Sequence, residues 1–234
     1  MTRNIFPLEN KDDFIYYLRD IINTTARYLR RLKRYNDELE KFIKEQGLEE
    51  DLRKKASNRI YEDFYDKSRH VETVLLNLIG DKTKQALSYN KFREIADKRM
   101  ANGMDLNLSK LPNNIRTELN QFNIWRNKSL HIPLTFLSAT RDLAKKRITE
   151  EPDIYTTIPD NPISVIQYDY QYSELFIDML VRGKELYSLS RNMHQQMKRD
   201  YSNLIGESME IIINSRDVME LEDHIHVNNE ALGK

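Results

Sequence analysis

The stretch Trp125-Arg126-Asn127-Lys128-Ser129-Leu130-His131-Ile132-Pro133 holds the residue types that phosphodiester chemistry uses. Arg126 offers a planar fork of donors that matches phosphate oxygens. His131 carries an imidazole that takes or gives a proton near neutral pH. Asn127 can orient either partner by hydrogen bonding. Metal-free cleavage of RNA needs such parts: a base for the ribose 2′-OH and a cation for the charge that builds on the phosphorane. On an unbroken helix, positions five apart lie about 140° apart around the axis, so Arg126 and His131 would not converge on one substrate. Pro133 disfavours α geometry at Ile132 and suits a first helical turn. This predicts a break at residues 128–132 and a new helix from Pro133 to about Ile148. His131 would then stand just ahead of a helix whose N–H groups attract phosphate and disfavour imidazolium. The structural alternative pairs Arg126 with a carboxylate of another helix and leaves Asn127 and His131 as helix-end residues.

The elements that must position these side chains read as long amphipathic helices. Asn10-Lys-Asp-Asp13 opens the first, with acidic residues near its positive end. Its apolar positions are Phe14, Leu18, Ile21, Thr25, Tyr28, Leu32, Tyr35, Leu39 and Phe42. Steps of four and three alternate, a packing seam at heptad period, and Gly47 ends it. A second helix is expected from about Glu49 to Ile79, with Leu52, Ala56, Ile60, Phe64, Val71, Leu75 and Leu78 inward and Gly80 as its stop. Residues 82–99 read as a weaker helix and 101–109 as a loop. Pro112-Asn-Asn114 starts a helix whose inner face is Ile115, Leu119, Phe122 and Trp125. β-branched and aromatic runs flank Pro159-Asp-Asn-Pro162, which predicts a small β-hairpin around 153–168. A last helix runs from about Tyr172 to Leu221 with a possible break near Gly206, and residues 222–234 read as a flexible tail. Together these predict an all-α fold, a bundle of long amphipathic helices forming one domain over residues 1–234.

Composition excludes several chemistries. The 234 residues contain no cysteine, so disulfides, thiolate catalysis and Cys-ligated metals are out. There is no Gly-rich phosphate loop, no Rossmann fingerprint and no His-Glu-x-x-His, so no cofactor or metal site is expected. Asp223-His224-Ile-His226 resembles a metal pair but lies toward the tail. His70 reads as a helix-face residue, and His194 lacks the spacing of Arg126 and His131. Met1–Glu9 has no apolar signal core, and no stretch approaches the roughly 20 apolar residues of a membrane span. The expectation is a cytoplasmic chain without membrane contact. Basic and acidic residues balance at 37 each, so any hold on nucleic acid must come from local patches. Arg27, Arg30, Arg31 and Arg34 make an i, i+3, i+4, i+7 stripe on the first helix. Arg141, Lys145 and Lys146 follow the motif, with Arg147 beside them. Either patch suits RNA phosphates; the plainer readings are a solvated face and a complement to a negative helix end.

An arginine, a polar residue directly after it and a histidine five positions on resemble the active-site motif of the HEPN superfamily (higher eukaryotes and prokaryotes nucleotide-binding domains). That motif is Arg, four to six residues, then His, and it is matched by Arg126, Asn127 and His131. HEPN domains are all-α bundles, in agreement with the helices above. The resemblance implies metal-independent endoribonuclease activity that leaves a 2′,3′-cyclic phosphate. It also implies a homodimer that brings two motifs into one cleft. Such proteins serve as toxins or in anti-phage abortive infection, often beside a nucleotidyltransferase-like antitoxin. The sequence leaves a second reading open, a non-catalytic helical bundle that binds a protein, nucleotide or RNA partner.

Overall fold

The structure is a computed structural model and describes residues 8–83, 86–130 and 169–208. Five helices and two short strands lie among them: α1 (Lys11–Glu45), β1 (Lys55–Ser57), α2 (Asn58–Gly80), α3 (Tyr89–Ala101), α4 (Asn113–Leu130), β2 (Tyr170–Tyr172) and α5 (Ser173–Ile205). The fold is an all-α bundle with a two-stranded antiparallel sheet at one end. No helix among the described residues is long and apolar enough to cross a membrane. The hairpin expected around 153–168, the helix expected from Pro133 and the tail expected at 222–234 lie outside the described residues.

Local chemistry sets the ends of α1. Asn10 accepts a hydrogen bond from the Asp13 N–H at 3.0 Å, and the Asp13 carboxylate accepts from the Asn10 N–H at 3.2 Å. This reciprocal box satisfies two donors that the first turn leaves without partners. At the other end Gly47 takes a left-handed φ of +58°. Its N–H reaches the Lys44 carbonyl and the Leu48 N–H reaches the Ile43 carbonyl. That is a Schellman closure, and buried Leu48 packs with Ile43 as its apolar contact.

The buried side of α1 carries Phe14, Leu18, Ile21, Thr25, Leu32 and Leu39, as the seam predicts. It packs antiparallel against α5, with Ile22 beside His194 and Glu40 beside Lys184. It also packs against α2, where Tyr28 meets His70 and Phe42 meets Phe64. One apolar cluster draws on α1 to α5 and a smaller one forms around Leu39, Ile43, Leu48, Phe176 and Leu180. A buried polar knot ties α3 to α5. Arg93 pairs with Asp200 at 2.6 Å, the Tyr89 hydroxyl donates to the same carboxylate at 2.6 Å, and Gln196 donates to it at 3.0 Å. Burial raises the pKa of the Asp200 carboxyl against the pull of Arg93.

Two expectations are corrected. The second helix begins at Asn58 rather than near Glu49, because Lys55–Ser57 pairs in register with Tyr172–Tyr170 as a strand. The Ser173 and Asn58 N–H groups extend that ladder to the Lys54 and Asp169 carbonyls. Leu52, expected inward, is therefore 53 % exposed, and Ile60 also faces solvent. Residues 128–130, expected to lie in a break, are helical and belong to α4; Ile132 and Pro133 lie outside the described residues. The last helix ends at Ile205, at the break read near Gly206, which adopts a left-handed φ of +79°; residues 209–221 of that expectation lie outside the described residues.

Candidate functional site

Arg126 and Asn127 stand near the C-terminal end of α4, beside the C-terminal turn of α2. The two helices meet at Gly80. A Cβ there would sit 2.7 Å from the Phe122 carbonyl carbon and 2.8 Å from the Asn123 nitrogen. Only glycine permits that approach without displacing a backbone. Glycine at this position therefore does more than stop α2. It lets α4 close on the turn that carries Asn77 and Asp81.

The Arg126 guanidinium is bound on three sides. Its Nε donates to Asn77 Oδ1 at 3.2 Å, Nη2 donates to Asp81 Oδ2 at 3.0 Å, and Nη1 donates to Asn127 Oδ1 at 3.1 Å. The ion pair is largely sheltered, with the Arg126 and Asp81 side chains 16 % and 12 % exposed. Asp81 is itself anchored. Its Oδ1 accepts from the Thr83 N–H at 2.8 Å, and its carbonyl accepts a short bond from the Ser88 hydroxyl. Ser88 caps α3 and its N–H donates to the Tyr17 hydroxyl at 3.0 Å. Burial pushes the Tyr17 phenol up to about 12, so it stays protonated and donates to the Ala86 carbonyl at 2.8 Å. A continuous polar chain thus runs from Arg126 through the α2–α3 connection to α1.

The structure brings Arg126 and Asn127 together and adds two partners, Asn77 and Asp81, that sequence reasoning missed. They lie four apart, hence on one face of the last turn of α2. The signal was faint, since an Asn and an Asp at a helix end also read as ordinary terminators. Asn127 is exposed. His131 lies outside the described residues, as do Arg141, Lys145 and Lys146. The Arg126–Asp81 pair is the contact named above as the structural alternative for Arg126.

The four arginines of the α1 stripe, Arg27, Arg30, Arg31 and Arg34, are all exposed and share its outer face. The Arg31 guanidinium lies 5.0 Å from the Tyr28 ring centroid. Arg34 lies 5.0 Å from that of Tyr35 and 3.7 Å from Glu38. Arg27 and Arg30 pair with no carboxylate among the described residues. Of the other histidines, His70 is exposed at the α1–α2 seam. His194 is buried; its Nε2 sits 3.2 Å from the Ile22 carbonyl, and burial pushes its pKa down. The described residues include no cluster of three or more carboxylates or imidazoles suited to a metal ion.

A cavity of about 470 Å³ opens between α1, α2, α4 and α5. Its walls include Leu32, Tyr61, Tyr65, Trp125 and Met179, and its charged groups are of both signs: Arg69, Glu72, Asp178, Arg182 and Glu185. Trp125 and Arg126 are successive on α4 and so project about 100° apart. Trp125 faces this cavity while Arg126 faces the end of α2. Comparisons of the chain with protein-family models, with curated proteins and with solved structures find no match.

Proposed function

We propose that the protein is a HEPN-like, metal-independent endoribonuclease that acts as a homodimer. In this reading His131 is the base for the ribose 2′-OH, Arg126 meets the phosphate and Asn127 orients the pair. Arg141, Lys145 and Lys146, with the α1 stripe of Arg27, Arg30, Arg31 and Arg34, hold the flanking RNA. The biological setting that goes with it is a toxin or anti-phage effector controlled by a nucleotidyltransferase-like antitoxin. The observation that carries the reading is the held guanidinium. Arg126 of the Arg126–Asn127…His131 motif is fixed by α2 at an end of the bundle, yet only three of its five N–H donors are engaged by described residues. A pre-oriented arginine with donors to spare is what stabilisation of a developing phosphorane charge requires.

The test is incubation of the purified protein with total RNA in EDTA, beside Arg126→Ala and His131→Ala. The expected result is cleavage by the wild type that both variants lose, with 2′,3′-cyclic phosphate ends on the products. A wild type that leaves RNA intact, or variants that cut as well as it does, would overturn the reading.

The Arg126–Asp81 pair favours a second reading, a non-catalytic helical module that binds a protein, nucleotide or RNA partner. There the pair serves only to fasten α4 to α2. Arg126→Ala would then lower stability with no nuclease activity to lose.

A further inference from the structure

We infer that Asn77 and Asp81 are positioning residues for Arg126, holding one edge of its guanidinium so that the remaining N–H groups meet an RNA phosphate. This rests on the endoribonuclease reading. A guanidinium has five N–H donors: one on Nε and two on each terminal nitrogen. Asn77 takes the Nε donor and Asp81 takes one Nη2 donor. Those two nitrogens form the side edge of the fork, and two acceptors one helical turn apart on α2 match it. Asn127 takes one Nη1 donor. Among the described residues this leaves one N–H on each terminal nitrogen, enough to address two oxygens of a single phosphate.

The clamp is stiff. The Thr83 N–H and the Ser88 hydroxyl hold Asp81, and the Gly80 contact presses α2 against α4. The arginine therefore loses its rotamer freedom on folding rather than on meeting RNA, so less ordering is left for the transition state. Charge works the other way. Asp81 and the negative end of α2 offset the positive charge of Arg126, so long-range attraction for RNA at this spot is weak. Arg126 acts through donor geometry in the reacting complex, so the Asn77 acceptor should govern kcat more than KM, whereas the charge of Asp81 should act on KM. Asp81→Asn would remove the offsetting charge and keep one oxygen acceptor for Nη2, giving up the second that accepts from the Thr83 N–H.

The experiment measures cleavage of a fluorogenic single-stranded RNA of mixed sequence, in EDTA, by the full chain. Asn77→Leu removes the acceptor at similar volume, and Asn77→Asp restores an oxygen to Nε. Asn77→Leu should lose about 10- to 100-fold in kcat with KM within about threefold, and Asn77→Asp should recover most of the loss. Asp81→Asn, which is gentler on the fold, should lower KM by about threefold or more as the charge of Arg126 is unmasked. Melting curves scale each rate to the folded fraction, so a purely structural role appears as lost stability with an unchanged rate per folded molecule. If Asn77→Leu and Asp81→Asn keep wild-type kcat and KM while Arg126→Ala is inactive, the positioning role is wrong and the nuclease reading stands. If the wild type does not cleave, the nuclease reading falls and the positioning role falls with it.

Discussion

Two histidines receive opposite jobs, His194 from its surroundings in the structure and His131 from the proposed function. His194 is buried on α5, and burial favours its neutral form against the backbone carbonyl of Ile22 on α1, which lies at hydrogen-bonding distance from Nε2 and pulls the other way. Its folded-state pKa lies below the ordinary 6.5, chiefly through burial. The unfolded chain therefore binds more protons in the window between the two values. The stability that neutral His194 supports is complete above about pH 6.5 and is lost as pH falls through the depressed folded value. Thermal melts from about pH 7.5 to about pH 5 should show a falling Tm that flattens in His194→Gln, whose amide keeps a donor for Ile22 and does not titrate. Parallel slopes would mean that other groups dominate. His131 is expected to behave in the reverse way. In the proposed reading its place in the motif gives it a role in chemistry. His131→Ala should cost about 10²- to 10⁴-fold in cleavage rate, while stability changes by no more than about 0.5 kcal/mol. A large drop in Tm with cleavage intact would reverse that assignment.

At the scale of elements, what decides the site is a crossing that no single helix encodes. The closure of α4 on α2 depends on Gly80, because a methyl there would meet the backbone of Phe122 and Asn123 rather than a side chain able to turn away. Gly80→Ala should therefore cost about 1–3 kcal/mol, as overpacking does, even though alanine favours helices intrinsically. It should also loosen Arg126, so cleavage per folded molecule falls as well. Circular-dichroism melts and rate measurements on one preparation check both, and an unchanged Tm would show that the crossing tolerates a methyl. The same example explains what was legible in the chain. The α1 cap, its seam and its Gly47 stop depend on residues within a turn or two of one another, and the spacing alone revealed them. So did the start of α4 after Pro112 and its inner residues Leu119 and Phe122. The β1–β2 ladder was hidden because Lys55–Ser57 has no strand-like run; it is extended only because Tyr170–Tyr172 lies beside it. Asn77 and Asp81 were hidden for the same reason. Their value as partners of Arg126 comes from a neighbour 45–49 positions away in the chain.

For the whole molecule, charge and surface bear on the proposed homodimer. Lysine and arginine balance aspartate and glutamate at 37 each, so two copies meet without net repulsion and RNA is drawn only by local patches. Arg126 and exposed Asn127 lie near the end of α4, and Ile124, 44 % exposed, stands about one turn back from Asn127 on the same helix. One chain offers a single arginine clamp, exposed on its Asn127 side. A second copy related by a two-fold axis would face that clamp with an identical one, and a shallow half-site on each would become a cleft. A stable pair needs about 1,200–2,000 Å² of total burial, so α4 would have to contribute a substantial part of its outer face. The expected outcome is a light-scattering mass twice the 28.0 kDa of one chain at micromolar concentration. Ile124→Glu places a charge on that face while leaving the core untouched, and it should shift the mass toward one chain. If two motifs must face one another, cleavage should fall in step with the dimer fraction and recover as protein concentration rises. A monomeric Ile124→Glu that cleaves at the wild-type rate would place the complete site within one chain and remove the need for the pair.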